Sequence, residues 1–307
     1  MLIAIIAAVV LIAALAGLFA AYYKTFYFPH RGVSETDTPE MLGKHPFKDI
    51  SHGNIERLCG TPCEFVETRS YDGLKLSGRY YKGKDGMPLC ICFHGYHGSA
   101  VRDFSGAGLF LIDEGYNVIL VDERAHWRSQ GHTITFGIRE RFDVVSWVGY
   151  ANDRFGADTP IFIFGISLGG GTVLMASGQK LPGNVKGIVA DCPFNSPKDI
   201  ILHVCKKIKM NPTLSWPIIR LSALIYGRFN VNQTTAAAEV KKAEKPIMII
   251  HGEGDDFVPA YMSRQVRDAN PDMVEWHGFP EADHGLSYLY DTKRYQKLVT
   301  DFINKHL

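Results

Sequence analysis

The sequence predicts an α/β fold, a mostly parallel sheet with helices on both faces. Three observations carry that expectation. First, short apolar runs recur along the chain: LCICF (89–93), NVILV (117–121), IFIFG (161–165), GIVAD (187–191) and IMIIH (247–251). Unbroken apolar runs of this length suit strands buried on both faces of a parallel sheet. Second, the intervening segments are helix-length and carry a 3.6-residue period, as in ERFDVVSWVGYANDRF (140–155). Strand and helix in alternation build a doubly wound sheet. Third, EFVETRSYDGLKLSGRYY (64–81) alternates apolar and polar residues around Asp72-Gly73, which reads as an antiparallel hairpin preceding the parallel part.

With 307 residues, 46% hydrophobic and 21% charged, the chain can bury a large core. A net charge of +1 gives no electrostatic reason to expect nucleic acid as a partner.

The first element differs in kind. LIAIIAAVVLIAALAGLFAAYY, Leu2 to Tyr23, has no charged side chain. At about 1.5 Å per helical residue it spans the roughly 30 Å hydrocarbon core of a bilayer. Nothing basic precedes it, and the run is longer than a signal peptide requires, so residues 1–28 are expected to be a retained transmembrane anchor rather than a cleaved signal. Lys24 and Arg31 follow the span, and the positive-inside bias then puts the rest of the chain in the cytoplasm. Cys90 and Cys92 read as small buried hydrophobes, Cys59 and Cys63 could pair only in an oxidising compartment, and no spacing matches a zinc site. Residues 29–63 show weak periodicity and are expected to be a linker and N-terminal extension; 64–307 form the main domain. The interval between GIVAD and IMIIH is too long for one crossover helix. Its surplus, about 195–235, is expected to be an inserted helical lid.

In an open α/β sheet, ligands bind beyond the carboxyl ends of the strands. IFIFG runs into GISLGG, which sets Ser167 between Gly165 and Gly169 at the spacing G-x-S-x-G. Such a turn lifts the serine oxygen off the sheet at a helix N-terminus, where the backbone N–H of Leu168 can donate to an oxyanion. LCICF runs into HGYHGS (94–99), a loop that can aim the N–H of Tyr96 at the same point. A nucleophilic serine needs a base, and the base an orienting acid. IMIIH runs into GEGDDFVP, and EADHGLSY lies near the C-terminus. Asp255 or Asp256 can be the acid and His284 the base. Taken singly, each motif also fits a glycine-rich turn, a solvated acidic turn or a capping histidine. Together, at successive strand ends in the order Ser, Asp, His, they read as a triad.

These motifs resemble the α/β-hydrolase superfamily, in its serine aminopeptidase and monoacylglycerol-lipase-like group. In layout the chain is similar to small bacterial membrane-anchored members, over about 64–307. The resemblance implies Ser167 as nucleophile, Tyr96 as oxyanion donor and His284 as base. It also implies Asp255 rather than Asp256, because the family's acid stands three residues before the Val of Val-Pro. VDERAHWRSQG (121–131) resembles the family's Asp-x-Arg-Gly-x-Gly-x-Ser segment, with Ala125 and Trp127 where two glycines stand. Asp122 and Arg124 are expected to organise this loop, and His126 and Trp127 to border the substrate pocket.

The expected activity is hydrolysis of carboxylic esters, short to medium acyl or lipid-like, through an acyl-enzyme and without metal or organic cofactor. A peptidase or thioesterase with the same triad is the alternative, since fold and triad are shared. A non-catalytic membrane-anchored binding protein is the reading from another class. The expected partners are the ester and the membrane. Lys206, Lys207 and Lys209, beside apolar lid residues, suggest a lid face resting on an anionic surface.

Overall fold

The computed structural model describes residues 1–29, 34–37 and 46–307. Its strands are β1 (Glu64–Arg69), β2 (Lys75–Tyr81), β3 (Leu89–Phe93), β4 (Asn117–Asp122), β5 (Ile161–Ile166), β6 (Val185–Asp191), β7 (Ile247–Gly252) and β8 (Val274–Phe279). They form one sheet in the order β1-β2-β4-β3-β5-β6-β7-β8. β1 pairs antiparallel with β2, and β2 antiparallel with β4. From β4 to β8 every pairing is parallel.

The apolar runs are apolar throughout because both faces are covered. Alternate residues of one strand enter different cores. Ile91 and Phe93 of β3, with Ile161 and Ile163 of β5, join one. Cys90, Cys92, Phe162 and Phe164 join the other.

The helices are α1 (Leu2–Phe26), α2 (Lys48–Gly60), α3 (Ala100–Asp103), α4 (Ala107–Glu114), α5 (Glu140–Phe155), α6 (Leu168–Ala176), α7 (Pro197–Lys207), α8 (Pro212–Ser222), α9 (Ala236–Val240), α10 (Ala260–Ala269), α11 (Ser287–Tyr290) and α12 (Thr292–His306). α5, α6 and α10 cover the first core, and α4 and α12 the second. α7, α8 and a π-helical turn at Ala223–Gly227 occupy the stretch expected as a lid. Both lid helices begin with Pro in the first turn after a capping side chain, Ser196 and Asn211, the arrangement in which proline's missing N–H costs nothing. α2 lies inside the stretch read as linker and N-terminal extension. It buries Ile55 and Leu58 and pairs Arg57 with Asp113 at 2.6 Å. Arg31, half of the basic flank, and much of the expected linker lie outside the described residues.

α1 has two parts. Its apolar first part is exposed: Leu11 is 59% accessible and Ile12 66%. Its last turns are built into the domain. Phe26 is fully buried, edge-on to Phe136 and Phe229 at 5.9 and 5.3 Å. The Tyr22 hydroxyl lies 2.6 Å from Thr133 Oγ1, and the backbone of Ile134 donates to the Phe26 carbonyl at 2.7 Å. Phe28 is 1% accessible and packs on His126 at 4.5 Å.

Truncating Phe26 to Ala should therefore destabilise the full chain by about 3–5 kcal/mol. Leu11→Ala should change stability in detergent by less than about 0.5 kcal/mol. Thermal denaturation of both variants checks this; equal effects would mean that α1 behaves as one uniform element.

Candidate active site

The site forms where β3, β5 and β7 end. At the end of β5 the chain turns sharply, and Ser167 stands at φ 55°, ψ −108°. A side-chain-bearing residue is strained there. The turn is possible because its neighbours have no Cβ: one at Gly169 would run into the Phe93 carbonyl, and one at Gly165 into the backbone of Gly169. Three hydrogen bonds hold the turn. The N–H groups of Ser167, Gly169 and Gly171 donate to the carbonyls of Asp191, His94 and Ser167 at 2.9, 3.0 and 2.9 Å.

Ser167, Asp255 and His284, far apart in sequence, meet here. His284 Nε2 is 2.9 Å from Ser167 Oγ, and His284 Nδ1 is 2.6 Å from Asp255 Oδ2. All three are nearly buried, at 9%, 5% and 5% accessibility. Asp255 Oδ1 accepts the N–H groups of Phe257 and Val258 at 2.9 and 2.8 Å. His251, at the end of β7, donates through Nε2 to the Val258 carbonyl at 2.8 Å, and the same nitrogen lies 3.4 Å from Asp255 Oδ2. Burial alone raises the Asp255 pKa, but hydrogen bonds from His251 and His284 outweigh it and hold the carboxyl well below the usual range. Asp256 points away, bonded to Lys207 at 2.8 Å. The geometry thus separates the two candidate acids. His251 was missed in the sequence because a histidine closing an apolar run reads as part of the strand.

Leu168 opens α6, where the first backbone N–H groups have no intrahelical acceptor. Tyr96 follows Gly95, whose N–H donates to Asp103 Oδ2 at 2.8 Å. His94 Nε2 accepts the Glu123 N–H at 3.1 Å, and burial lowers the His94 pKa to about 4. A neutral imidazole therefore fixes the loop that carries Tyr96.

Two cavities meet at Ser167. One, about 160 Å³, is lined by Ser51, Arg102, Ser105, Tyr288 and His284 among others. The other, about 220 Å³, is mainly apolar and lined by Phe136, Phe194, Ile201, Val204 and Met210 among others. Tyr96, Ser167 and Phe257 belong to both. His126 and Trp127 line neither, which corrects their expected place at the pocket. Phe28 packs against both rings, and the Trp127 indole N–H donates to the Gly98 carbonyl at 2.6 Å. Ala125 and Trp127, standing where the family pattern has glycines, sit at φ 68° and 47°. Their loop is held by Arg124, which bonds Asp143 through two nitrogens at 2.6 Å each and Asp72 at 3.0 Å. The organising role expected of Arg124 fits these contacts.

Among the described residues, one group has metal-binding proximity: ligand atoms of Cys192, Asp255 and His284 lie within 4.8 Å of one another.

A sequence model of the prolyl oligopeptidase family matches residues 103–307. The chain is 25% identical over 243 residues to the uncharacterized protein YqkD of Bacillus subtilis (strain 168), covering 78% of each. Among solved structures it is similar to the Pyrococcus furiosus esterase Pf2001, with TM-score 0.65, 22% identity and coverage of 90% of this chain and 99% of that one. It is also similar to Est1E from Butyrivibrio proteoclasticus, solved with bound ferulic acid, at TM-score 0.60, 21% identity and coverage of 78% and 99%. The fold is that of the α/β-hydrolases.

Because the folded pKa of Asp255 is lowered, its contribution to stability is complete above its unfolded value and lost as the pH falls toward the folded one. The melting temperature of the wild type should thus fall more steeply than that of Asp255→Asn between roughly pH 5 and pH 3. Parallel profiles would mean that the carboxylate is not held by its neighbours.

Proposed function

We propose that this chain, which belongs to the prolyl oligopeptidase family, hydrolyses carboxylic esters with Ser167 as nucleophile, His284 as base and Asp255 as orienting acid. Family and fold together support a serine hydrolase. The finer reading rests on one observation above all: Ser167, His284 and Asp255 form an unbroken hydrogen-bonded chain at the meeting point of two cavities.

The chemistry follows from the geometry. His284 Nε2 takes the Ser167 proton as Oγ attacks the carbonyl carbon. The backbone N–H groups of Leu168 and Tyr96 stabilise the oxyanion, and His284 returns the proton to the leaving alcohol. Water then attacks the acyl-enzyme with His284 as base. Asp255, kept ionised, holds the Nδ1–H tautomer. The two cavities divide the substrate: the apolar one takes the acyl group, the more polar one the alcohol.

An ester is favoured over a peptide by the charge around the site. A peptidase reading a free α-amino group needs a carboxylate facing its substrate. The apolar cavity offers no acidic side chain; of the two at the other, Asp103 is engaged by Arg102 and the Gly95 N–H, and Asp191 is buried and bonded to Tyr295. α1 serves in this reading as a retained membrane anchor, with the hydrolase domain on the cytoplasmic side. The burial of Tyr22, Phe26 and Phe28 supports retention, because cleavage within or after the apolar run would take these side chains, or their tether, from the core.

Fluorophosphonate labelling of the full chain in detergent tests the nucleophile. Labelling should vanish in Ser167→Ala, and kcat for p-nitrophenyl esters should fall by on the order of 10⁶. Asp255→Asn should lower kcat by on the order of 10⁴, whereas Asp256→Asn should change it by less than about threefold. Equal losses at the two aspartates would remove Asp255 from its assigned role.

A further inference from the structure

We propose that the anchor helix α1 is itself a wall of the acyl cavity, so that the protein draws an ester with an apolar acyl chain directly from the bilayer. This rests on the hydrolase reading above and adds where the acyl chain lies and where it comes from. Ala21, Lys24 and Thr25, all on the last turns of α1, line the same cavity as Ser167. The same lining includes Ile200 and Val204 of α7 and Met210 beyond it. The acyl cavity is thus enclosed between the anchor and the lid.

The contact is built rather than incidental. The Tyr96 hydroxyl donates to the Thr25 carbonyl at 3.1 Å, so the loop assigned to the oxyanion is tied to the end of the anchor. Tyr27 forms a backbone bridge with Thr133. Further up, the Tyr226 hydroxyl, in the π-helical turn after α8, donates to the Leu15 carbonyl at 2.9 Å, and its ring meets Phe19 at 5.3 Å. α1 is therefore bonded to the sheet-side loops at its end and to the lid further up.

The surface beside α1 identifies the source of the chain. Leu214, Ile218, Leu221 and Ile225 recur at the spacing of one helical face and are 68%, 48%, 45% and 43% accessible. An amphipathic helix normally turns such a stripe inward. Here the stripe faces outward next to α1, whose central apolar stretch has none of its residues buried. A bilayer crossed by α1 would cover both at once. Ile208 and Met210, 61% and 45% accessible, extend this surface to the cavity. Lys24, exposed and on the cavity lining, lies where hydrocarbon would give way to headgroups.

The test uses the full chain in detergent with p-nitrophenyl acetate and octanoate. Ala21→Trp, which fills the cavity from the α1 side, should lower the octanoate-to-acetate ratio of kcat/KM at least about tenfold, since methylene-sized changes in an apolar pocket act on this scale. Ala21→Leu, a smaller intrusion, should lower it about threefold if the tryptophan variant does not fold. Ala13→Trp, on the exposed part of α1, should leave the ratio unchanged. A ratio untouched by either change at Ala21, in an enzyme that turns over both esters, would overturn the wall. No turnover of any ester and no labelling of Ser167 would instead strike the hydrolase reading. The source is read by presenting the octanoate in phosphatidylcholine vesicles. Ile218→Glu with Leu221→Glu should slow vesicle-borne turnover about tenfold relative to detergent. Equal rates in the two presentations would overturn the bilayer route.

Discussion

The site depends on one close approach. The backbone at Gly169 packs against the Phe93 carbonyl with no room for a Cβ, and this lets α6 start directly against the end of β3. From it follow the left-handed backbone of Ser167, the exposure of its oxygen above the sheet, and the convergence of the α6 N-terminus with the loop carrying Tyr96. Strain of this kind costs about 1–3 kcal/mol and persists only when its surroundings over-determine it. Here the hydrogen bonds to the carbonyls of Asp191 and His94, drawn from the two flanking strands, supply that constraint.

Electrostatics then assigns roles among residues of the same type. Asp255 and Asp256 are adjacent, but only Asp255 turns inward, where two backbone N–H groups and two imidazoles stabilise its charge. Asp256 is left to bond a lid lysine. His94 and His284 both approach the serine loop. Burial keeps His94 neutral, so it serves as a fixed acceptor for the Glu123 N–H, while His284 has a carboxylate on one nitrogen and a hydroxyl on the other. Arg124 likewise has its charge satisfied by Asp143 and Asp72 before it reaches the site, which explains why it organises a loop instead of meeting substrate.

The features legible in the sequence were those whose cause is local. Runs such as LCICF and IFIFG announce strands covered on both faces, and GISLGG, GEGDDFVP and DHG each carry their own turn chemistry. The alternation and the order of motifs were enough to bring Ser167, Asp255 and His284 together. What was illegible came from distant partners. Trp127 was expected at the pocket, but Phe28, from the far end of the chain, lies against it and His126. α2 stood in a stretch with weak periodicity, and its folding is supported by burial of Ile55 and Leu58. The partner of Lys207, Asp256, lies 49 residues away in sequence and was equally illegible.

α1 is the deepest case, because an uncharged apolar run looks the same whether lipid or protein surrounds it. The helix has two parts with different surroundings. Its first part leaves its apolar side chains exposed, the pattern of a helix long enough to cross a bilayer. Its last turns place Tyr22 and Phe26, and Phe28 just beyond, in the same core as the central strands. Each large apolar side chain buried there contributes about 1.5–3 kcal/mol, against a total stability for a folded domain of about 5–15 kcal/mol. α1 and the rest of the domain are therefore coupled in folding: detaching the helix at residue 28 would open the core, remove a side of the mainly apolar cavity and release the Tyr96 hydroxyl from its acceptor at the same time.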